Sequence, residues 1–410
     1  MFTELKRSKT FLSHLTAYSA SEVASKLSRL FVVIMVARQL GAEEIGLAAA
    51  ALAVCDILKS LTENGIGQRV IAAAQSDLHA ITARAHRLFW QTTAGLFLLQ
   101  LCVAACFIWF GYAFIGALIA LAALEYLFMP AGLVQAALAM REGKLKQTAA
   151  IAGTQIVSAN LISVALVLVF PSALVLVLPR VLTAPIWLIA MRRLRPWTPN
   201  QSTPASTRDF VSFGLPIIGT SLINALRLHA DKLVIGALLG AQGLGAYFMA
   251  FNAGLSLAIS FVAAFDKVVF PHLCKTDGQT ARSIALMGIV MIAPVVALQA
   301  VFAPTYVPIL LGSDWAFISP AVSILCQTAI PLTLWSAAAA ELRVTGRSGL
   351  ELGITFGATL TWLACAIPAA AWGLTSLAAA HLVVITSILG LASLHILSRT
   401  PSQSFIKQEV

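Results

Sequence analysis

The sequence predicts an all-α integral membrane protein of about twelve transmembrane helices, in two six-helix bundles related by a pseudo-twofold axis along the membrane normal. Three observations lead there. Of 410 residues, 59% are hydrophobic and 11% charged, whereas a soluble domain carries about 25% charged residues. Apolar runs recur at membrane-spanning length, and a hydrocarbon layer of about 30 Å takes roughly 20 residues of helix. Basic residues mark every second connection between the runs, the pattern of cytoplasmic loops.

The runs lie at residues 12–37, 44–66, 87–110, 112–138, 148–170, 172–192, 210–238, 243–270, 281–302, 316–342, 350–371 and 374–398. Stretches such as Phe114–Leu124 do not alternate in polarity as barrel strands of about 10 residues do, so helices are expected. Lys6, Arg7 and Lys9 precede the first run as in a signal peptide. That run continues through charges without a small-residue cleavage site and is expected to be the first membrane helix. Pro130, Pro185, Pro216, Pro294, Pro331 and Pro368 fall inside runs and should bend them.

The basic connections carry Arg69, Arg84 and Arg87; Arg141, Lys144 and Lys146; Arg192, Arg193, Arg195 and Arg208; Lys267, Lys275 and Arg282; Arg343 and Arg347; and Arg399 and Lys407. The turns between them, around Gly111, Pro171, Gly240, Ser313 and Gly373, carry almost none, with Arg38 the nearest exception. Both termini are thereby placed in the cytoplasm. The same alternation explains the net charge of +10 without a nucleic-acid-binding face.

The longest polar connection, Arg193–Asp209, is rich in Pro, Ser and Thr and suits a flexible linker. The expected organisation is a first bundle over 1–192, a cytoplasmic linker over 193–209, a second bundle over 210–398 and a cytoplasmic tail over 399–410. LGAEEIG at Leu40–Gly46 matches LGAQGLG at Leu239–Gly245, each in the outer turn after the first helix of its half. The match points to a duplication, and two such bundles would enclose a central cleft.

The six cysteines lie almost all in apolar runs without metal-ligand spacing and are expected to pack. GALLG at Gly236–Gly240 has the spacing of a helix contact. The sequence has no GxxxxGK[ST], no HExxH and no nucleophile elbow. No cofactor and no metal are expected, and the chain is not expected to be an enzyme.

Charges inside the runs are the informative residues, because each costs at least about 2.5 kcal/mol at mid-helix. Glu22, Lys26 and Arg29 share one helix face with Tyr18 and Ser25; Asp56, Lys59 and Glu63 share another. The seventh run carries Thr220, Asn224, Arg227 and Asp231, with Lys232 beside them, and Glu125 and Arg180 sit near the middle of the fourth and sixth. One reading makes these ion pairs that hold helices together, such as Glu22 with Lys26 or Arg227 with Asp231. The other makes them the lining of a transport cleft whose Arg and Lys grip phosphate. Their concentration on the leading helices of both halves favours the cleft. His229 either lines it or is a satisfied polar group.

The run Asp231–Tyr247, DKLVIGALLGAQGLGAY, resembles the junction of helices 7 and 8 in polysaccharide-synthesis flippases of the multidrug, oligosaccharidyl-lipid and polysaccharide exporter superfamily. ARQLGAEEIG at Ala37–Gly46 and GIGQR at Gly65–Arg69 are similar to that family's first outer turn and second-helix end. The resemblance implies a transporter that flips a polyprenyl-diphosphate-linked oligosaccharide from the cytoplasmic to the outer leaflet of a bacterial inner membrane, by alternating access, for surface or exopolysaccharide synthesis. The basic cavity it implies maps onto Lys26, Arg29, Lys59, Arg180, Arg227 and Lys232 as substrate-binding residues, with Glu22, Asp56, Glu125, Asn224 and Asp231 as polar lining. The acids are open to three roles: neutralising the cations, binding a coupling proton or sodium, or contacting sugar hydroxyls. The implied partners are the lipid-linked oligosaccharide, membrane lipid, a coupling H+ or Na+, and polysaccharide polymerase and export machinery, with no nucleic acid. A cation-coupled multidrug antiporter of the same superfamily is the alternative, but it would need a cavity dominated by acids and aromatics. A polymerase or ligase acting on lipid-linked sugars would need a large outer loop, and the outer turns are short.

Overall fold

A computed structural model describes residues 28–398 apart from 63–64, 200–203, 257–258, 263–264, 267–268, 270–272 and 274–280. Among the described residues there is no strand. Within these residues eight helices are long and apolar enough to cross a membrane, and a bent pair makes a ninth if counted as one span. Large apolar side chains such as Leu98, Val290, Met291 and Leu298 stand exposed along these helices. Lipid is the solvent that such surfaces require. Trp109 and Trp372, 87% and 82% exposed beside the turns at Gly111 and Gly373, sit where aromatic rings mark a membrane interface.

By compactness the chain falls into two units that part between Leu233 and Val234. In the first, α1 is helical over 28–39, and the earlier part of its expected span, with Glu22 and Lys26, lies outside the described residues. It is followed by α2 (Ala42–Ser60), α3 (Ile66–Ile71), α4 (Leu78–Trp109), α5 (Ala113–Ala123), α6 (Pro130–Arg141), α7 (Leu145–Val169), α8 (Leu174–Leu194) and the start of α9 (Thr207–Gly254). α2 has the length of a span at 19 residues but carries Glu43, Glu44, Asp56 and Lys59. Its alanines let α5 and α8 approach closely, and Ala48, Ala51, Leu118, Ile119 and Val177 form one core cluster. A second cluster joins Ile66, Val70, Ile81, Phe89, Val134, Leu138 and Phe210 from α3, α4, α6 and α9. Gly116 of α5 faces Ala104 and Ile108 of α4 so closely that a Cβ there would lie 2.6 Å from Ile108 Cγ1 and 2.7 Å from Ala104 O.

The expected fourth span, 112–138, is broken. α5 passes into a 3-10 turn at Leu124–Leu127, α6 begins at Pro130, and the two parts bend by 55°. Pro130 has no N–H to donate back into the preceding turn and starts the new segment, whereas Pro185, Pro294 and Pro368, also expected to bend their runs, lie inside continuous helices. α4 starts nine residues before the expected run at 87, so Arg84 and Arg87 belong to its first turns and not to a loop.

The stretch expected as a flexible linker is anchored at both of its described ends. Arg84 Nε donates to Ala205 O at 2.6 Å, Ala205 N to Ala80 O at 3.1 Å and Gln135 Nε2 to Trp197 O at 3.5 Å. The Trp197 ring packs 5.2 Å from that of His86, and Arg195 pairs with Glu142. A polar composition suggests freedom only while its backbone groups answer to water, and at Trp197 and Ala205 groups of α4 and α6 satisfy them.

In the second unit α9 continues past Gly240, whose φ of 67° and ψ of −171° break the helix at the expected turn. A residue with a Cβ is strained there, which accounts for the glycine. Helices Ala281–Leu311, Ser319–Leu325, Ala329–Val344, Ser348–Ala370, Leu374–Ile385 and Leu391–Ser398 follow. Leu255, Ile292, Val296, Cys326 and Ala329 form one core cluster, and Trp335, Ala338, Leu342, Ala358 and Leu389 another.

Candidate functional site

The first unit gathers charge at one level. On α2, Asp56 and Lys59 are three residues apart and share a face. Arg180 lies on α8 between Pro179 and Thr183, and Glu125 sits in the 3-10 turn that breaks the fourth span. The guanidinium of Arg180 forks onto Asp56, Nη1 to Oδ1 at 2.6 Å and Nη2 to Oδ2 at 3.4 Å. Lys59 Nζ meets Glu125 Oε1 at 2.5 Å. Arg29 of α1 lies within electrostatic reach of Arg180 and Asp56. Among the described residues it has neither an ion-pair nor a hydrogen-bond partner. His229 of α9 is within electrostatic reach of Asp56.

Among the described residues the layer therefore holds three cations, Arg29, Lys59 and Arg180, against the two carboxylates Asp56 and Glu125. The two pairs are not sealed: the side chains of Arg180 and Asp56 are 32% and 28% exposed, and that of Lys59 is 39% exposed. A site with a surplus cation and accessible pairs in an apolar surrounding can receive an oxyanion, since both guanidinium and ammonium groups make charge-assisted hydrogen bonds to phosphate.

Two amides that the sequence analysis did not single out brace this layer. Gln100 of α4, 1% exposed, donates to Ile119 O at 2.9 Å and reaches Cys55 Sγ at 3.5 Å, next to Asp56. Asn160 of α7 donates to Ser28 Oγ at 2.8 Å, next to Arg29. An amide inside an apolar run was the available signal for both, because an unpaired amide in hydrocarbon is costly.

Of the other expected residues, Asp231 and Lys232 are described, and His229 lies within electrostatic reach of both. Lys232 Nζ lies 3.3 Å from Asp231 Oδ1 and donates to Leu228 O at 2.7 Å. Asn224 and Arg227 are on helical backbone, with side chains outside the described set, as are Glu22, Lys26 and Glu63 altogether. In the second unit Asp266, an intramembrane carboxylate omitted from the sequence reading, accepts a hydrogen bond from Ser336.

Outside the spans, Glu142 bridges Lys144 at 3.0 Å and Arg195 at 2.5 Å. The hydrogen bonds from Lys144 and Arg195 hold its carboxyl below the usual range.

Helices of this length, lipid-facing apolar surface and a charge layer among them define a multi-pass membrane protein. Residues 35–320 match the family of polysaccharide biosynthesis proteins, and the chain belongs to that family. It is 26% identical over 129 residues to the lipopolysaccharide biosynthesis protein WzxC of Escherichia coli (strain K12), a match that spans 30% of this chain and 26% of that protein. Its fold is similar to that of the lipid II flippase MurJ in an inward closed conformation, with a TM-score of 0.75 at 11% identity over 94% of this chain and 88% of the other. It is also similar to a multidrug resistance MATE family transporter of the MOP superfamily in an inward-facing conformation, with a TM-score of 0.67 at 14% identity over 91% and 94%. At such identities the two structures establish the fold alone.

Proposed function

We propose that this chain flips a polyprenyl-diphosphate-linked oligosaccharide from the cytoplasmic to the outer leaflet of a bacterial inner membrane, supplying surface or exopolysaccharide synthesis, and that it is a transporter without enzymatic activity. The observation that carries this is Arg29, a cation without a carboxylate partner among the described residues, beside the Asp56–Arg180 pair in a member of a polysaccharide biosynthesis family.

The cargo accounts for such a layer. A charged, sugar-bearing headgroup cannot cross hydrocarbon unaided, while its polyprenyl tail can remain in the bilayer. An inside-negative potential favours outward movement by about 2.3 kcal/mol per negative charge per 100 mV. Alternating access of two six-helix halves, with both termini cytoplasmic, completes the proposal. A coupling H+ or Na+ and a downstream polymerase are its natural partners.

The test is complementation. In cells lacking this protein, lipid-linked oligosaccharide should accumulate and surface polysaccharide should be lost. The wild-type chain should restore export, and Arg29→Gln should not, at equal protein in the membrane. Normal export without the protein removes the function; normal export by the variant removes Arg29 from the site.

A further inference from the structure

Arg180 and Lys59 are each held by a carboxylate, and among the described residues Arg29 is not. The pairs are electrically neutral as units, so an arriving anion is drawn first to Arg29. A diphosphate carries more negative charge than one guanidinium cancels, and in an apolar surrounding the remainder is expensive. The cation beside Arg29 is Arg180, whose Nη1 and Nη2 are both turned onto Asp56. Full neutralisation of the ligand at this place therefore requires Asp56 to give Arg180 up.

We propose that diphosphate binding is an exchange of partners: Arg180 passes from Asp56 to the ligand, and Asp56 takes up a solvated proton from the surrounding solution. This rests on the reading of the chain as a carrier of a lipid diphosphate. The exchange balances. Carboxylate–guanidinium pair, diphosphate and hydronium give carboxylic acid, guanidinium–diphosphate pair and water, and no bond to phosphorus is made or broken.

Asp56 is the residue that must change state. Among the described residues the groups facing it are Arg180 on α8, Arg29 on α1, Lys59 on its own helix and His229 on α9, with Cys55 and Glu125 close by. Once Arg180 has moved, its neighbourhood gains the negative charge of the ligand. A carboxylate left beside another anion takes a proton in preference to staying ionised. The pair thus acts as a gate on charge: without ligand the site is nearly neutral, and with ligand it becomes nearly neutral again by taking up one proton. Loading is then linked to pH, with binding tightening by up to about tenfold per unit fall in pH for each proton taken up.

The experiment uses the full chain in lipid nanodiscs and geranyl diphosphate as the probe. Calorimetric titration in two buffers of different ionisation enthalpy counts the protons exchanged. At about pH 8 the probe is itself deprotonated, since phosphate groups lose their last proton near pH 6. Net proton uptake by the wild-type chain at that pH is expected, and it needs no variant. Asp56→Asn should take up about one proton fewer and bind the probe at least about tenfold more tightly, because Arg180 starts free of a carboxylate. His229→Gln should leave the proton count unchanged.

Equal proton counts in wild type and Asp56→Asn, or weaker binding by that variant, overturn the exchange while leaving the flippase reading in place. Proton uptake that disappears in His229→Gln but survives in Asp56→Asn overturns it too, by moving the proton to the imidazole. No binding of the probe by the wild-type chain overturns both the exchange and the diphosphate reading on which it rests.

Discussion

Arg180 on α8 and Asp56 on α2 meet through both guanidinium nitrogens, 2.6 and 3.4 Å from the two carboxylate oxygens, although 124 residues separate them. The contact ties two helices across the charged layer. Its chemistry is demanding, because removing one member leaves the other as an uncompensated charge in an apolar surrounding. A fully buried pair broken this way costs about 3–5 kcal/mol. With about a third of each side chain exposed, solvent screening reduces that to about 1–3 kcal/mol.

Arg180→Met should therefore lower the melting temperature of the purified protein, and the exchange Asp56→Arg with Arg180→Asp should recover part of the loss. Thermal unfolding in detergent followed by tryptophan fluorescence reads both. A double variant no more stable than the single one would show that the pair is not what holds α2 to α8.

Gly116 admits α5 to the surface of α4. A Cβ at this position would lie 2.6 Å from Ile108 Cγ1 and 2.7 Å from the backbone oxygen of Ala104, and the latter cannot turn aside. Gly116→Val should destabilise the first unit by about 1–3 kcal/mol through overpacking. Denaturant titration against Gly95→Val, where nothing lies within 4 Å of the added Cβ, separates overpacking from the general effect of replacing a helical glycine.

The anchored linker predicts a protease result. Arg84 Nε holds Ala205 O at 2.6 Å, three residues before the exposed Arg208. Arg84→Gln should speed tryptic cleavage after Arg208 several-fold, with the helices otherwise protected, because the anchoring hydrogen bond is lost. Mass spectrometry of the early fragments gives the answer, and unchanged cleavage would mean that Trp197 and the Phe210 cluster secure the segment without Arg84.

Glu142 supplies a pH dependence outside the membrane. Lys144 and Arg195 keep its folded carboxyl below the ordinary value of 4.5. A depressed acid contributes stability above its unfolded value and loses it as pH falls through the folded one. Because the group is exposed, the contribution is about 0.2–1 kcal/mol. Glu142→Gln should flatten the melting-temperature profile below about pH 4.5 and lower it slightly above.

Much of the fold was legible in one dimension. The sparsely charged turns around Gly111, Pro171, Gly240, Ser313 and Gly373 each coincide with a helix break. Pro130 marks the bend of the fourth span. At the glycines the feature is local, since a residue without a Cβ serves the turn it stands in, whereas proline marks a break at Pro130 and not at Pro185, Pro294 or Pro368. Loop composition at Trp197 and Ala205 gives no sign of their anchoring for the converse reason, since the groups that satisfy Ala205 O and Trp197 O sit on α4 and α6. The unit boundary, which falls within α9 at Leu233, has no mark in composition at all.

The candidate site divides along the same line. That Asp56, Lys59, Glu125 and Arg180 matter could be read from their presence in apolar runs, where a charge is too costly to be incidental. Which of them neutralise one another could not, because partners 66 and 124 residues apart are chosen by the packing of α2 against α5 and α8. Hydropathy is a property of each segment and so determined the membrane solvent and the helices. Pairing is a property of distances between segments, and so only the tertiary structure decided that Lys59 and Arg180 are engaged by carboxylates while Arg29 stands beside them without a carboxylate among the described residues.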